Sequence, residues 1–471
     1  MGQEISNSFF SRDDFEHFSD RLRQETRLLH DWIKQGELSE GHYQAGFELE
    51  AWLLDQDLNP TADNEHFLDK LANPMAVPEL AQFNFELNGH HRDIRGKAFT
   101  ALYQEMAGNW SQCQNTAEKL GLKIAAIGTL PTARLDDFNI NHMSQMQRYR
   151  ALNQQVLRMR EGKPLIFKIQ GKETLNFNHP DVMLEAATTS FQIHLRMPLS
   201  KSVRLYNAGK IIAGPITALT ANSPYFLGKD LWAESRIPIF EQSVQVGQSD
   251  LTKRVSFGIR YANQSIMEVF DSNLARYPIM LPEVMDEPPE SLAHLRLHNG
   301  TIWRWNRPLV GFDEDGTPHF RLEHRCVPAG PSLLDSIANA AFFYGIVAYL
   351  AETEEPYENQ IPFHNVRDNF YHCAYHGYEA EVLWLNGRRW PVTELLSSEL
   401  VPKARQGLLK LQVDESEISF WLDIIQERIA KQISGAVWQR HHVARGASLK
   451  LMLSDYLQNQ ASGLSVDQWD L

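Results

Sequence analysis

The 471-residue chain reads as an α+β protein, an antiparallel sheet with one acid-lined face and helices packed outside it. Three observations predict this. Four short segments alternate apolar and polar residues with a period of two, the signature of strands. The segments between and around them carry helical spacing. One strand pair is joined by a tight turn rather than by a crossover helix, which makes the pairing antiparallel.

In chain order, helical spacing predicts a first helix over 14–32, closed by a polar stretch around Gly36 and Gly41. Further helices are predicted over 96–120, 141–160, 231–244, 332–351 and most of 366–460. The hairpin runs 301–310, turns through Asp313, Glu314, Asp315 and Gly316, and returns over 319–327. Ser332 and Asp335 read as a capping box opening an apolar helix. No repeat, low-complexity tract or linker divides the chain. One domain over 1–471 is therefore expected, with helical segments at 1–40 and about 366–460 packed on it.

Composition narrows the function. Lysine and arginine sum to 45 and aspartate and glutamate to 59, a formal net charge of −14. That argues against a sequence-independent nucleic-acid binder, which needs basic surface to displace counterions. Cys113, Cys326 and Cys373 lie far apart without CxxC spacing, so neither a zinc cage nor a disulfide framework is indicated. The opening residues lack the basic and apolar regions of a signal peptide. Their MGQEIS start matches the loose N-myristoylation pattern, a short signal that recurs by chance and is discounted. The most apolar stretch, 337–351, contains Asn339 and falls short of the roughly 18 residues needed to span a bilayer. A cytoplasmic protein without membrane contact is expected.

The strand faces carry the chemistry. Glu48 and Glu50 oppose Phe47, Leu49 and Ala51; Asn84, Glu86 and Asn88 oppose Phe83, Phe85 and Leu87. Gln192, His194 and Arg196 oppose Phe191, Ile193, Leu195 and Met197; Arg321, Glu323 and Arg325 oppose Phe320, Leu322, His324 and Cys326. Any one strand also fits a sheet with one face in water. Four lists holding acids, amides, imidazole and arginine, and no lysine, fit a shared polar cavity better. Clustered carboxylates repel in a sheltered cleft, and divalent cations relieve that repulsion. Glutamates with one imidazole and no thiolate suit magnesium or manganese, and the neighbouring arginines suit a phosphorylated substrate. There is no GxxxxGK[ST] loop, HExxH, GxSxG or Rossmann glycine motif.

The ordered residues resemble glutamate-cysteine ligase family 2, the YbdK-like carboxylate-amine ligases of the glutamine synthetase-like superfamily. Gly46-Phe47-Glu48-Leu49-Glu50 resembles that family's GxExE strand, and Glu79 and Glu86 its next pair of acids. Ile127 to Pro131 is similar to its GTxP turn, Arg148-Tyr149-Arg150 to its RYR element, and Thr189 to Arg196 to its histidine-bearing strand. Ala221 to Tyr225 with Ser235-Arg236, Thr301 to Pro308, and Phe320 to Arg325 resemble its ANSP, W-x-x-RP and ExR segments. The resemblance implies a single glutamine synthetase-like catalytic domain whose curved sheet holds metals and ATP on its concave face. It implies magnesium or manganese on Glu48, Glu50, Glu79, Glu86, His194 and Glu323. Arg236 and Arg325 fall to the phosphoryl group, and Asn222 and Arg307 to substrate binding.

The implied reaction is ATP-dependent amide formation between a small carboxylate, the γ-carboxylate of glutamate, and a small amine, through an acyl phosphate. The strand SFQIHLRM departs from the family, with Gln192 in place of a first histidine and no flanking glycines. That departure points away from cysteine as the best amine. A two-metal hydrolase and a non-catalytic metal-binding protein remain rival readings, and a homo-oligomer is compatible with all three.

Overall fold

A computed structural model describes residues 4–247, 249 and 253–470; the start of the myristoylation-like sequence lies outside them. Helix α1 (Arg12–Gln35) opens with Ser11 and Asp14 capping each other's backbone N–H groups, and closes at Gly36 with φ 73°. Then come β1 (Gln44–Leu54), α2 (Asn64–Leu71), β2 (Ala76–Pro78), β3 (Asn84–Asn88), β4 (Arg92–Asp93), α3 (Ala98–Lys119), β5 (Lys123–Ala125) and α4 (Gln147–Met159). A separate hairpin, β6 (Leu165–Gln170) and β7 (Thr174–His179), precedes β8 (Phe191–Met197) and α5 (Ser202–Thr220). The small hairpin β9 (Tyr225–Phe226) and β10 (Lys229–Asp230) leads to α6 (Arg236–Ser243), α7 (Met267–Arg276) and α8 (Ala293–Gly300). Strands β11 (Asn306–Phe312) and β12 (Pro318–His324) and helix α9 (Leu333–Ala351) complete the central part.

The main sheet is a curled antiparallel one, ordered β11-β12-β8-β1-β3-β2, with β4 and β5 also pairing with β1. Its register keeps the two face lists apart. Phe47 stands opposite Ile193, Leu49 opposite Leu87, and Leu322 opposite Leu195, all buried. Helix α5 lies against β11 and β12, and α9 against β8. The Tyr344 hydroxyl of α9 reaches the carbonyls of Gly46 and His194 at 3.0 and 2.9 Å, which ties that helix to the two strands carrying the polar face.

The remaining chain is mainly helical, as expected: α10 (Tyr357–Gln360), α11 (Phe363–His376), α12 (Val392–Leu395), α13 (Val401–Lys410), α14 (Glu415–Lys431), α15 (Gly435–Ala444) and α16 (Leu449–Ser462). A short hairpin, β13 (Glu381–Leu383) with β14 (Arg389–Pro391), interrupts it. Helix α13 approaches α9 so closely that a Cβ on Gly407 would sit 1.9 Å from the Gly345 carbonyl oxygen. At 19 residues α9 is long and apolar enough to cross a membrane, yet 83% of its most apolar window is buried inside the protein.

Several boundaries differ from the sequence expectation. The hairpin's first arm starts at Asn306: the Trp303 carbonyl and the Trp305 N–H bond to the Ser256 backbone, and the Trp305 carbonyl accepts from Arg325 just past the returning strand. The helix expected over 141–160 begins at Gln147, after a 3₁₀ turn at Ile140–His142. Helix α5 was not expected: Gly209, Gly214 and Pro215 interrupt its pattern, yet most of its residues are buried.

Candidate active site

The site is assembled by strand register. Arg307 stands opposite Glu323, Glu323 opposite His194, and His194 opposite Gly46, one row across β11, β12, β8 and β1. The neighbouring row sets Gln192 opposite Glu48 and Glu48 opposite Asn88, and the next sets Glu50 opposite Glu86. Opposed residues share a face, so period-two alternation in four separate segments becomes a single polar surface.

Five glutamates and one imidazole are expected to bind metal by family resemblance or strand face, and the structure sorts these six into two groups. In the first, ligand atoms of Glu48, His194 and Glu323 lie within 4.8 Å of one another. His194 Nε2 is 3.3 Å from Glu48 Oε1. Arg307 grips Glu323 with two bonds, Nε to Oε2 and Nη2 to Oε1, both 2.8 Å, and Arg325 Nη1 lies 3.3 Å from Glu323 Oε2. In the second group, Glu50, Glu79 and Glu86 meet within the same distance. Glu50 accepts from the Ser190 backbone N–H at 2.7 Å and from Gln192 Nε2 at 2.9 Å. Gln192 in turn accepts from Arg325, so this amide links the second group to the arginine of the first.

The electrostatics of the groups diverge. Burial penalises the charge of Glu323, but Arg307 and Arg325 outweigh it and lower the carboxyl to about 2. Burial also opposes the charge of Glu48, which His194 and Arg325 nonetheless hold well below the usual carboxylate range. In the second group, shielding from water and the charge of Glu50 push Glu79 up to about 8. Burial and the neighbouring Glu48, Glu79 and Glu50 push Glu86 well up, and burial raises Glu50 against the pull of Arg325. Among the described residues, Glu48 Oε2 and Glu79 Oε1 are shut off from solvent without a hydrogen-bond partner. Crowded carboxylate oxygens with one imidazole fit a hard divalent cation at each group.

Two cavities flank this surface, and Glu48 and Arg321 line both. One, of about 250 Å³, reaches Glu79, Glu323 and Arg307; the other, of about 420 Å³, reaches His194, Arg196 and His319.

Not every expected residue faces the cavities. Arg236, expected at the phosphoryl group, is buried and lines neither cavity. Its Nε lies 3.0 Å from Glu234 Oε1 and its Nη2 donates at 2.9 Å to the carbonyls of Arg325 and Cys326. Asn222, expected at the substrate, is fully buried and donates to the Ala329 carbonyl and Tyr456. The partners that claim both side chains lie far away in sequence or, like Glu234, outside any recognised motif. Conversely, Glu185, in a 3₁₀ segment with no periodicity, lines the smaller cavity, where shielding from water and Glu50 raise it to about 8. Arg148 and Tyr149 line it too; the RYR resemblance marked them without assigning a role.

Residues 44–445 match glutamate-cysteine ligase family 2 (GCS2). The fold is similar to that of the glutamate–cysteine ligase of Francisella tularensis solved in complex with AMP. That match has a TM-score of 0.60 and 11% identity over 89% of this chain and 88% of that one. It is also similar to a bifunctional glutathione synthetase from Pasteurella multocida, with a TM-score of 0.54 and 9% identity over 92% of this chain and 53% of that one. This chain thus spans about half of the bifunctional protein. No curated protein matches the sequence.

Proposed function

The chain belongs to glutamate-cysteine ligase family 2 and is an ATP-dependent carboxylate-amine ligase, and we propose that its carboxylate is the γ-carboxylate of glutamate and its intermediate an acyl phosphate. One observation carries this reading. Two carboxylate groups stand side by side on one sheet face, with Arg325 bonded into the first and linked to the second through Gln192. That is a surface for polyphosphate charge with a guanidinium where phosphoryl transfer needs one.

In this reading the substrate carboxylate attacks the γ-phosphorus and ADP leaves. The amine nitrogen then attacks the acyl carbon, the bond from carbon to the phosphate oxygen breaks, phosphate departs with the electron pair, and the nitrogen sheds its proton to water. Glu48, His194 and Glu323, and Glu50, Glu79 and Glu86, would hold magnesium or manganese, which would supply charge neutralisation for the phosphates. Arg325 holds the transferring group by two-point contact. Arg307 fixes Glu323 and, lining the smaller cavity, meets the substrate there. Arg236 and Asn222 act as positioning residues, the first by holding the backbone of Arg325. The whole chain works as one catalytic unit on small molecules.

The test is turnover with ATP, glutamate and hydroxylamine. The expected result is metal-dependent release of ADP and phosphate with formation of a hydroxamate. Metal-independent turnover, or AMP and pyrophosphate as products, overturns it.

A further inference from the structure

We propose that the smaller cavity selects an acceptor amine with an apolar body, of the size of a leucine or phenylalanine side chain. The inference rests on the ligase reading above. Leu80, Leu152, Leu295, Leu297, Leu309 and Trp303 wall this cavity, and they come from α4, α8, β11 and the adjoining loops. Its polar lining includes Glu79, Glu185 and Glu323 together with the guanidiniums of Arg148, Arg307 and Arg321. It therefore combines carboxylates with hydrocarbon, which suits an ammonium joined to an apolar chain.

The larger cavity offers a different lining. Gln44, Asn88, His91, Arg196 and His319 surround it, and of the two carboxylate groups it meets only the one containing His194. A mainly polar lining beside a single metal group leaves this cavity to the nucleotide. The smaller cavity touches both metal groups, the place where the acyl phosphate forms and the amine must arrive. A short polar amine such as ethanolamine would leave the leucines unfilled, and each unfilled methylene forgoes transition-state binding.

The experiment uses the full chain with magnesium, ATP and glutamate, and compares kcat/KM for glycine, cysteine, ethanolamine, leucine, phenylalanine and phenethylamine. The expected result is a preference of about tenfold or more for the apolar amines over ethanolamine and glycine. Isothermal titration of phenethylamine against ethanolamine, without turnover, is expected to show the same order. Leu297→Gln and Trp303→Ala are expected to lower that preference about tenfold, raising KM for the amine more than KM for ATP. A maximum for glycine, cysteine or ethanolamine overturns the proposal, as does a variant that raises KM for ATP while the amine profile stays put, which makes this cavity the adenosine seat. The hydroxamate assay keeps the two readings separable: hydroxamate without apolar preference removes this proposal alone, and absence of hydroxamate removes both.

Discussion

The two carboxylate groups sit one row apart on the same sheet and differ in what surrounds them. Glu323 is held by Arg307 and Arg325, and Glu48 by His194, so the first group keeps its negative charge without a cation. Glu50, Glu79 and Glu86 have mostly one another, with two backbone N–H groups and side-chain amides for company, and two of the three are raised strongly. The difference teaches that acidity alone does not define a metal site. The first group is preorganised as anions, whereas the second needs either protons or a cation, so metal binding there displaces protons.

The largest effect should come from removing Glu323. Glu323→Ala is expected to lower ADP release by about a thousandfold, since it takes a proposed metal ligand and the partner of Arg325 together. It should also cost about 3–5 kcal/mol in chemical denaturation, because Arg307 is left buried with its charge uncompensated. Unchanged stability would mean that the arginines do not hold the first group.

Arg325→Lys comes next. Turnover is expected to fall about a hundredfold, because an ammonium cannot reach Glu323, Gln192 and a phosphoryl oxygen in one plane. A variant keeping most of the wild-type rate takes Arg325 out of the phosphoryl step.

A smaller change is expected from Gln192→Ala, which removes the one side chain shared by Glu50 and Arg325. About a tenfold loss in kcat and about 1–3 kcal/mol in stability should follow. If kcat is untouched, the two groups act independently.

The mildest expectation concerns pH. The carboxyls of Glu79 and Glu185, both raised to about 8, are neutral in the folded protein where the unfolded chain already loses their protons. Their contribution to the stability of the metal-free protein should therefore be full at about pH 4.5, fall as pH rises toward 8 and level off above, while below pH 4.5 the lowered Glu323 acts in the opposite sense. Melting curves across that range check this. Glu86→Gln should flatten the profile and weaken magnesium or manganese binding measured by calorimetry. A profile that rises with pH would show that the second group is charged and compensated in the empty protein.

Much of this site is legible in the linear chain because a strand's period of two reports its faces directly. Glu48, Glu50, Glu86, His194 and Glu323 each stand in an alternating run, and the structure seats all five on one surface. Glu79 lies outside such a run, and only its family resemblance marked it. Helix α5 was hidden because a helix buried over most of its residues has no polar stripe, and its glycines and proline read as breaks. Glu185 was hidden because a 3₁₀ turn has no periodicity to read.

The sequence by itself determined the α+β class, the acid-lined face, the hairpin and the residue types able to hold a divalent cation, all of them consequences of local spacing and composition. Tertiary structure alone decided how those residues divide. Register placed Glu323 beside His194 and Glu50 beside Glu86, the distant Arg325 and Cys326 carbonyls claimed Arg236, and Tyr456 and Ala329 claimed Asn222. The physical reason is that a side chain's role depends on which charges and hydrogen-bond partners lie within a few ångströms of it. Here those partners come from segments up to hundreds of residues apart, a distance over which spacing along the chain carries no information.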